Sequence, residues 1–98
     1  MLFIVQFEDN PAHADQRTKH MAQHVAYLEK NLGRVKAAGP LVDPATSAGA
    51  GGLWVVDADS AAEVQKLVEG DPFWPTGLRK SVKILQWKQV YRDGKKLI

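Results

Sequence analysis

Four side chains with acid–base or ligand-holding chemistry fall on one stretch, "RTKHMAQHVAYLEK": Arg17, His20, His24 and Tyr27. At the helical turn of about 100° per residue, with Met21 set to zero, Arg17, His24, His20 and Tyr27 stand at about −40°, −60°, −100° and −120°. They make a polar stripe beside the apolar one, and His24 is the histidine nearer the buried side. An imidazole at a pocket edge is a general acid or base, and a carboxylate within reach would orient it. The candidate carboxylate is Asp71 in "EGDPFWPTGL", a stretch that Pro72 and Pro75 bar from being a long helix or a central strand. In one reading this shaped loop aims Asp71 at His24. Phe73 and Trp74 then supply an apolar wall, Arg17 grips a substrate carboxylate through its planar fork, and His20 and Tyr27 complete the substrate contacts. In the other reading Asp71 closes its own turn by an Asx-type bond, His24 is a half-buried helix residue, Tyr27 is packing, and Arg17 pairs with Asp15 or a neighbouring chain.

Composition narrows the alternatives. His20 and His24 are four residues apart, as two metal ligands on a helix would be, but the glutamate of the metalloprotease pattern is missing and there is no cysteine. No metal is expected. "AGAGG" lacks the lysine and the strand-to-helix setting of a phosphate loop, and no dinucleotide fingerprint occurs, so no organic cofactor is expected either. The net charge of +2 is spread over interspersed signs, without the basic stripe that a nucleic-acid partner would need. "MLFIVQFEDN" has no positive leading region and its apolar run is broken by Gln6, so it reads as neither signal peptide nor membrane span. A cytoplasmic protein is the expectation, and 98 residues make one domain, residues 1–98.

The elements that must position these groups follow from periodicity. "LFIVQF" (2–7) alternates as a strand, with Phe3, Val5 and Phe7 on one face and Leu2 and Ile4 on the other. Residues 14–32 form a helix with Met21, Val25, Leu28 and Leu32 as its stripe and Gly33 at its end. "RVKAAGPL" (34–41) is a short strand, 42–52 a loop, and "LWVV" (53–56) a third strand. Ser60 and Glu63 make a capping box for a second helix that buries Ala61, Val64, Leu67 and Val68 and stops at Gly70. A long fourth strand runs over 81–91, and Asp93-Gly94 favours a turn near the end. The order β-α-β-β-α-β is the α+β, ferredoxin-like arrangement: a four-stranded antiparallel sheet with its helices on one face. Apolar residues on both faces of the strands leave the second face to be covered, and a homodimer packed sheet to sheet would cover it.

The segments "HVAYLEK" (24–30), "AAGPL" (37–41), "GLWVVDADSAAEVQKLVEGDPF" and "TGL…VKILQW" resemble the YCII-related (YciI-like) family over nearly the whole chain. The resemblance implies a ferredoxin-like fold that dimerises into an α+β barrel, and a His and Asp pair as active site, falling here on His24 and Asp71. It also implies small-molecule chemistry: one kind of relative removes chloride from a chlorinated hydroxyhydroquinone, and structural cousins include muconolactone isomerases and small cofactor-free monooxygenases. The expected function is His/Asp acid–base chemistry on a small cyclic or aromatic compound; the alternative is a non-catalytic dimeric module that binds a small ligand or another protein. This chain departs from the family in the shorter stretch between His24 and "AAGPL", in the additional His20, and in the bulky Trp74.

Overall fold

The computed structural model describes residues 1–98. Strand β1 (Leu2–Asp9) is followed by a 3-10 turn (Pro11–His13), helices α1 (Asp15–Lys19) and α2 (Met21–Lys30), and strands β2 (Val35–Val42) and β3 (Gly49–Asp57). Helix α3 (Ala61–Glu69), a second 3-10 turn (Trp74–Thr76) and strand β4 (Arg79–Gln86) complete the layer, and a small hairpin, β5 (Tyr91–Arg92) with β6 (Lys95–Lys96), ends the chain. The sheet order is β2-β3-β1-β4 with every pairing antiparallel. This is the expected ferredoxin-like α+β architecture, with three helices in place of two.

The alternation of β1 decides the core. Phe3, Val5 and Phe7 are buried beneath the helices with Trp54 and Val56 of β3 and Val64, Leu67 and Val68 of α3. Burying side chains of this size stabilises by about 1.5–3 kcal/mol each relative to exposure. On the opposite face Ile4 stands between Val55 and Leu85, with Leu2 alongside Trp87, whose N–H donates to the Leu2 carbonyl.

Several boundaries differ from the periodicity reading. The helix expected over 14–32 breaks at His20, whose φ of −114° and ψ of 13° leave the helical region, and it ends at Asn31 rather than Gly33. Asn31 is the reason: its amide donates to the Tyr27 carbonyl at 2.8 Å, occupying an acceptor of the last turn. β3 begins at Gly49, so all of "AGAGG" but Ala48 lies in a strand rather than in the loop expected over 42–52. β4 spans Arg79–Gln86 instead of 81–91. Val90 and Tyr91 therefore leave the sheet for the terminal hairpin, whose turn is the expected Asp93-Gly94 pair with positive φ at both residues. In α3, Ser60 Oγ accepts from Glu63 N as a cap should, while Ala61 is exposed rather than part of the buried stripe.

Candidate active site

The loop from α3 to β4 holds Asp71 from several sides. Its N–H donates to the Val68 carbonyl, its own carbonyl accepts from Trp74 N at 2.8 Å, and its Oδ1 accepts from Phe73 N at 3.2 Å. That last bond is the Asx-type closure that Asp-Pro sequences favour. The same Oδ1 lies 2.8 Å from His24 Nδ1 on α2, so turn closure and pairing with histidine are two uses of one carboxylate. His24 is 6 % and Asp71 1 % exposed. Phe73 stacks on the imidazole at 4.2 Å between centroids and 19° between planes, which fixes the ring in its plane.

A third member was not singled out by the sequence. Arg79, first residue of β4, places Nη1 2.7 Å from Asp71 Oδ2 with a side chain only 5 % exposed. The contact is ionic and off the hydrogen-bond direction, since neither atom has a directed hydrogen-bond partner. The guanidinium lies over the Phe7 ring at 3.9 Å from its centroid, with Trp54 and Phe73 at 5.2 and 5.5 Å. Such cation–π contacts stabilise a charge drawn out of water. Burial alone would raise the Asp71 pKa, but the hydrogen bond from His24, the charge of Arg79 and the Phe73 N–H together hold it below the ordinary carboxylate value. Burial pulls Arg79 down from its usual value, opposed by Asp71. With a carboxylate taking Nδ1, Nε2 is the nitrogen left for a ligand.

That ligand has a place to go. A cavity of about 110 Å³ lies between α2 and the sheet. Its apolar wall includes Met21, Val25 and Leu28 of α2 and Trp54 of β3, and its polar wall is Arg17, His24 and Arg79. It opens past Val25 and Pro40, both exposed. A cavity of about 150 Å³ holds benzene, so this one takes at most a single small ring, with part of it in the mouth. Arg17 binds Asp9 rather than Asp15, at 2.6 Å from Nη2 to Oδ2, and its guanidinium stands 5.7 Å from the Phe73 ring centroid.

The other candidates are placed elsewhere. Tyr27 lies off the cavity and donates to the Leu67 carbonyl at 2.6 Å, tying α2 to α3. Burial and the nearby Asp71 push its pKa up against the pull of Arg34, so the phenol is a donor. Trp74 is 38 % exposed at the start of the 3-10 turn, and His20 is half-buried at the junction of α1 and α2; neither lines the cavity. No group of three or more His, Cys, Asp or Glu side chains is arranged to hold a metal. No helix is long and apolar enough to cross a membrane.

A family model described as the YCII-related domain matches residues 1–88. The chain belongs to that family. The β5–β6 hairpin lies beyond the matched segment of this YCII-related protein. Its structure is similar to that of 5-chloro-2-hydroxyhydroquinone dehydrochlorinase (TftG) from Burkholderia phenoliruptrix AC1100 in complex with 2,5-dihydroxybenzoquinone. The two share 32 % identity at a TM-score of 0.79, over 90 % of this chain and 94 % of that one. A weaker likeness to an Arabidopsis thaliana protein, at 12 % identity and a TM-score of 0.48, covers 94 % of this chain and 97 % of the other. No protein of curated function matches.

Proposed function

We propose that this YCII-related protein is a small cofactor-free enzyme that moves a proton on a small cyclic or aromatic, oxygenated compound. His24 is the acid–base group and Asp71 the carboxylate that orients it. The observation that carries this reading is the 2.8 Å approach of His24 Nδ1 to Asp71 Oδ1 on the wall of a small open cavity. Asp71 keeps the proton of the neutral imidazole on Nδ1, so the Nε2 lone pair is free to accept one from a ligand. The ligand's C–H or O–H bond then breaks, its electron pair stays behind as an enolate or phenolate, and Asp71 balances the imidazolium. Return of the proton at another carbon is an isomerisation; departure of a leaving group with its electron pair is an elimination. The likeness to a dehydrochlorinase favours elimination. Arg17 is the substrate anchor at the rim and Phe73 the plate behind the imidazole. The active form is a cytoplasmic homodimer packed sheet to sheet.

A second reading, a non-catalytic binding module, is favoured by the depth of the pair, since the two side chains are as buried as a structural hydrogen bond would be. Turnover separates the readings. Chloride release from 5-chloro-2-hydroxyhydroquinone is measured for the wild type, His24→Gln and Asp71→Asn, beside binding of 2,5-dihydroxybenzoquinone. The enzymatic reading expects both variants to lose roughly 10²–10⁴-fold in kcat while still binding the quinone. Quinone binding by all three proteins with no turnover by the wild type would assign the module.

A further inference from the structure

The polar wall of the cavity is one-sided. Arg17, His24 and Arg79 reach it, and no aspartate or glutamate does; Asp9 and Asp71 stand behind the two arginines they pair with. A ligand in the cavity therefore meets N–H donors and positive charge, with the compensating carboxylates one layer farther away. Arg79 is the deeper of the two cations, its side chain 5 % exposed against 24 % for Arg17. A guanidinium carries five N–H donors, and the one ion pair Arg79 makes, Nη1 with Asp71 Oδ2 at 2.7 Å, occupies at most one of them. A buried cation with unspent donors in a protein interior is costly unless something accepts from it. The aromatic rings of Phe7, Trp54 and Phe73 hold it in place without using those donors.

The geometry points to Arg79 as the anion-recognition residue of this site, and to ligands that are single-ring compounds ionised at an oxygen, a phenolate or an enolate. The inference rests on the proposed acid–base reading and adds to it the charge state of what is bound. Arg79 joins two tasks. On one side it neutralises Asp71, and on the other it receives the oxygen on which negative charge sits or develops when His24 takes the proton. Charge-assisted donors aimed at a developing oxyanion in a water-poor site are among the larger contributions a protein makes to proton abstraction.

The test uses 4-nitrophenol, a single-ring probe whose ionised and neutral forms have different visible spectra, at a pH where the free phenol is mostly protonated. The wild type is expected to bind it as the yellow phenolate, and His24→Gln to do so as well. Arg79→Lys, which keeps a charge beside Asp71 but loses the fork, should weaken phenolate binding roughly ten- to a hundredfold. If removing the arginine impairs folding, the double variant Arg79→Met with Asp71→Asn removes both buried charges together and should bind no phenolate. 4-Nitroanisole, which cannot ionise, should bind all four proteins alike. Binding of the neutral phenol, no binding by the wild type, or undiminished phenolate binding in both Arg79 variants overturns the inference. Should ionisation vanish in His24→Gln yet survive loss of Arg79, the imidazolium is the anion's partner. The Arg79 assignment then falls while the acid–base reading of His24 stands.

Discussion

Asp71 meets three partners at once: the Phe73 N–H and His24 Nδ1 as hydrogen bonds at Oδ1, and the charge of the Arg79 guanidinium at Oδ2. This is why its pKa is held down although burial would raise it. The sign of the linkage follows. A carboxyl whose folded value lies below its unfolded value of 3.8 contributes stability that is fully present above that value and lost as pH falls through the folded one. Asp71→Asn removes that contribution and leaves Arg79 buried without a counter-charge, a loss of about 3 kcal/mol at neutral pH. In denaturant unfolding the gap between wild type and variant should be open at about pH 5 and close as pH drops well below the ordinary carboxylate value. A gap that stays constant through that range would show that Asp71 is not ionised in the fold. His24 and Asp71 were legible as candidates because each carries a local signature, a helical angle for one and an Asp-Pro turn for the other. Arg79 was not. The register between β1 and β4 shifts at Glu8/Asp9, pairing Glu8 with Ser81 but Asp9 with Arg79, so Lys80 is passed over. That bulge turns Arg79 onto the helix face, where simple alternation from Val82 would not put it.

Among the elements, glycine positions show what the sequence reading missed and why. "AGAGG" reads as loop because small residues have little to bury, yet its last four residues open β3. Gly51 adopts a φ of +91° and comes so close to the Phe7 carbonyl that a Cβ there would lie 1.9 Å from its oxygen. Only glycine allows that approach, so the composition that signals a loop here marks a bent strand against β1. Gly70 was legible as a helix stop, but its tighter constraint comes from another element: a Cβ would meet the Tyr27 hydroxyl at 2.6 Å. That hydroxyl is held by its bond to the Leu67 carbonyl and cannot retreat freely. Gly70 has an ordinary right-handed φ of −77°, so alanine would be mildly stabilising were the space open. With Tyr27 present, Gly70→Ala should instead destabilise by about 1–2 kcal/mol. Tyr27→Phe alone should cost about 1 kcal/mol for the lost hydrogen bond. In the double variant the hydroxyl that clashes is gone, so the costs should sum to less than the two singles in a thermal or urea unfolding cycle. Strict additivity would mean that Tyr27 does not constrain Gly70.

For the whole molecule, the decisive fact is that all three α-helices lie on one side of the sheet. The helix face carries both the core and the cavity. The other face carries Leu2, Ile4, Leu53 and Val55, half-buried, beside Leu85 and Trp87, which are 39 % and 45 % exposed. Strand alternation made both faces legible in the sequence; what sequence could not give was which way Trp54 and Trp87 point, since register alone decides that. Trp54 turned inward to the cavity and Trp87 outward. An apolar sheet face is expected to find a cover, and a second copy supplies the same surface in return. The wild type should therefore sediment as a dimer at micromolar concentration. Leu85→Lys with Trp87→Glu alters two side chains that a single chain leaves exposed, so it should sediment as a monomer with an unchanged circular-dichroism spectrum. Because the cavity and this face lie on opposite sides of the sheet, the same variant should bind 4-nitrophenol as the wild type does. A wild-type monomer, or a double variant that still pairs, would remove the sheet face as the interface; a monomer that loses the phenol would show that the second copy supports the cavity through the sheet.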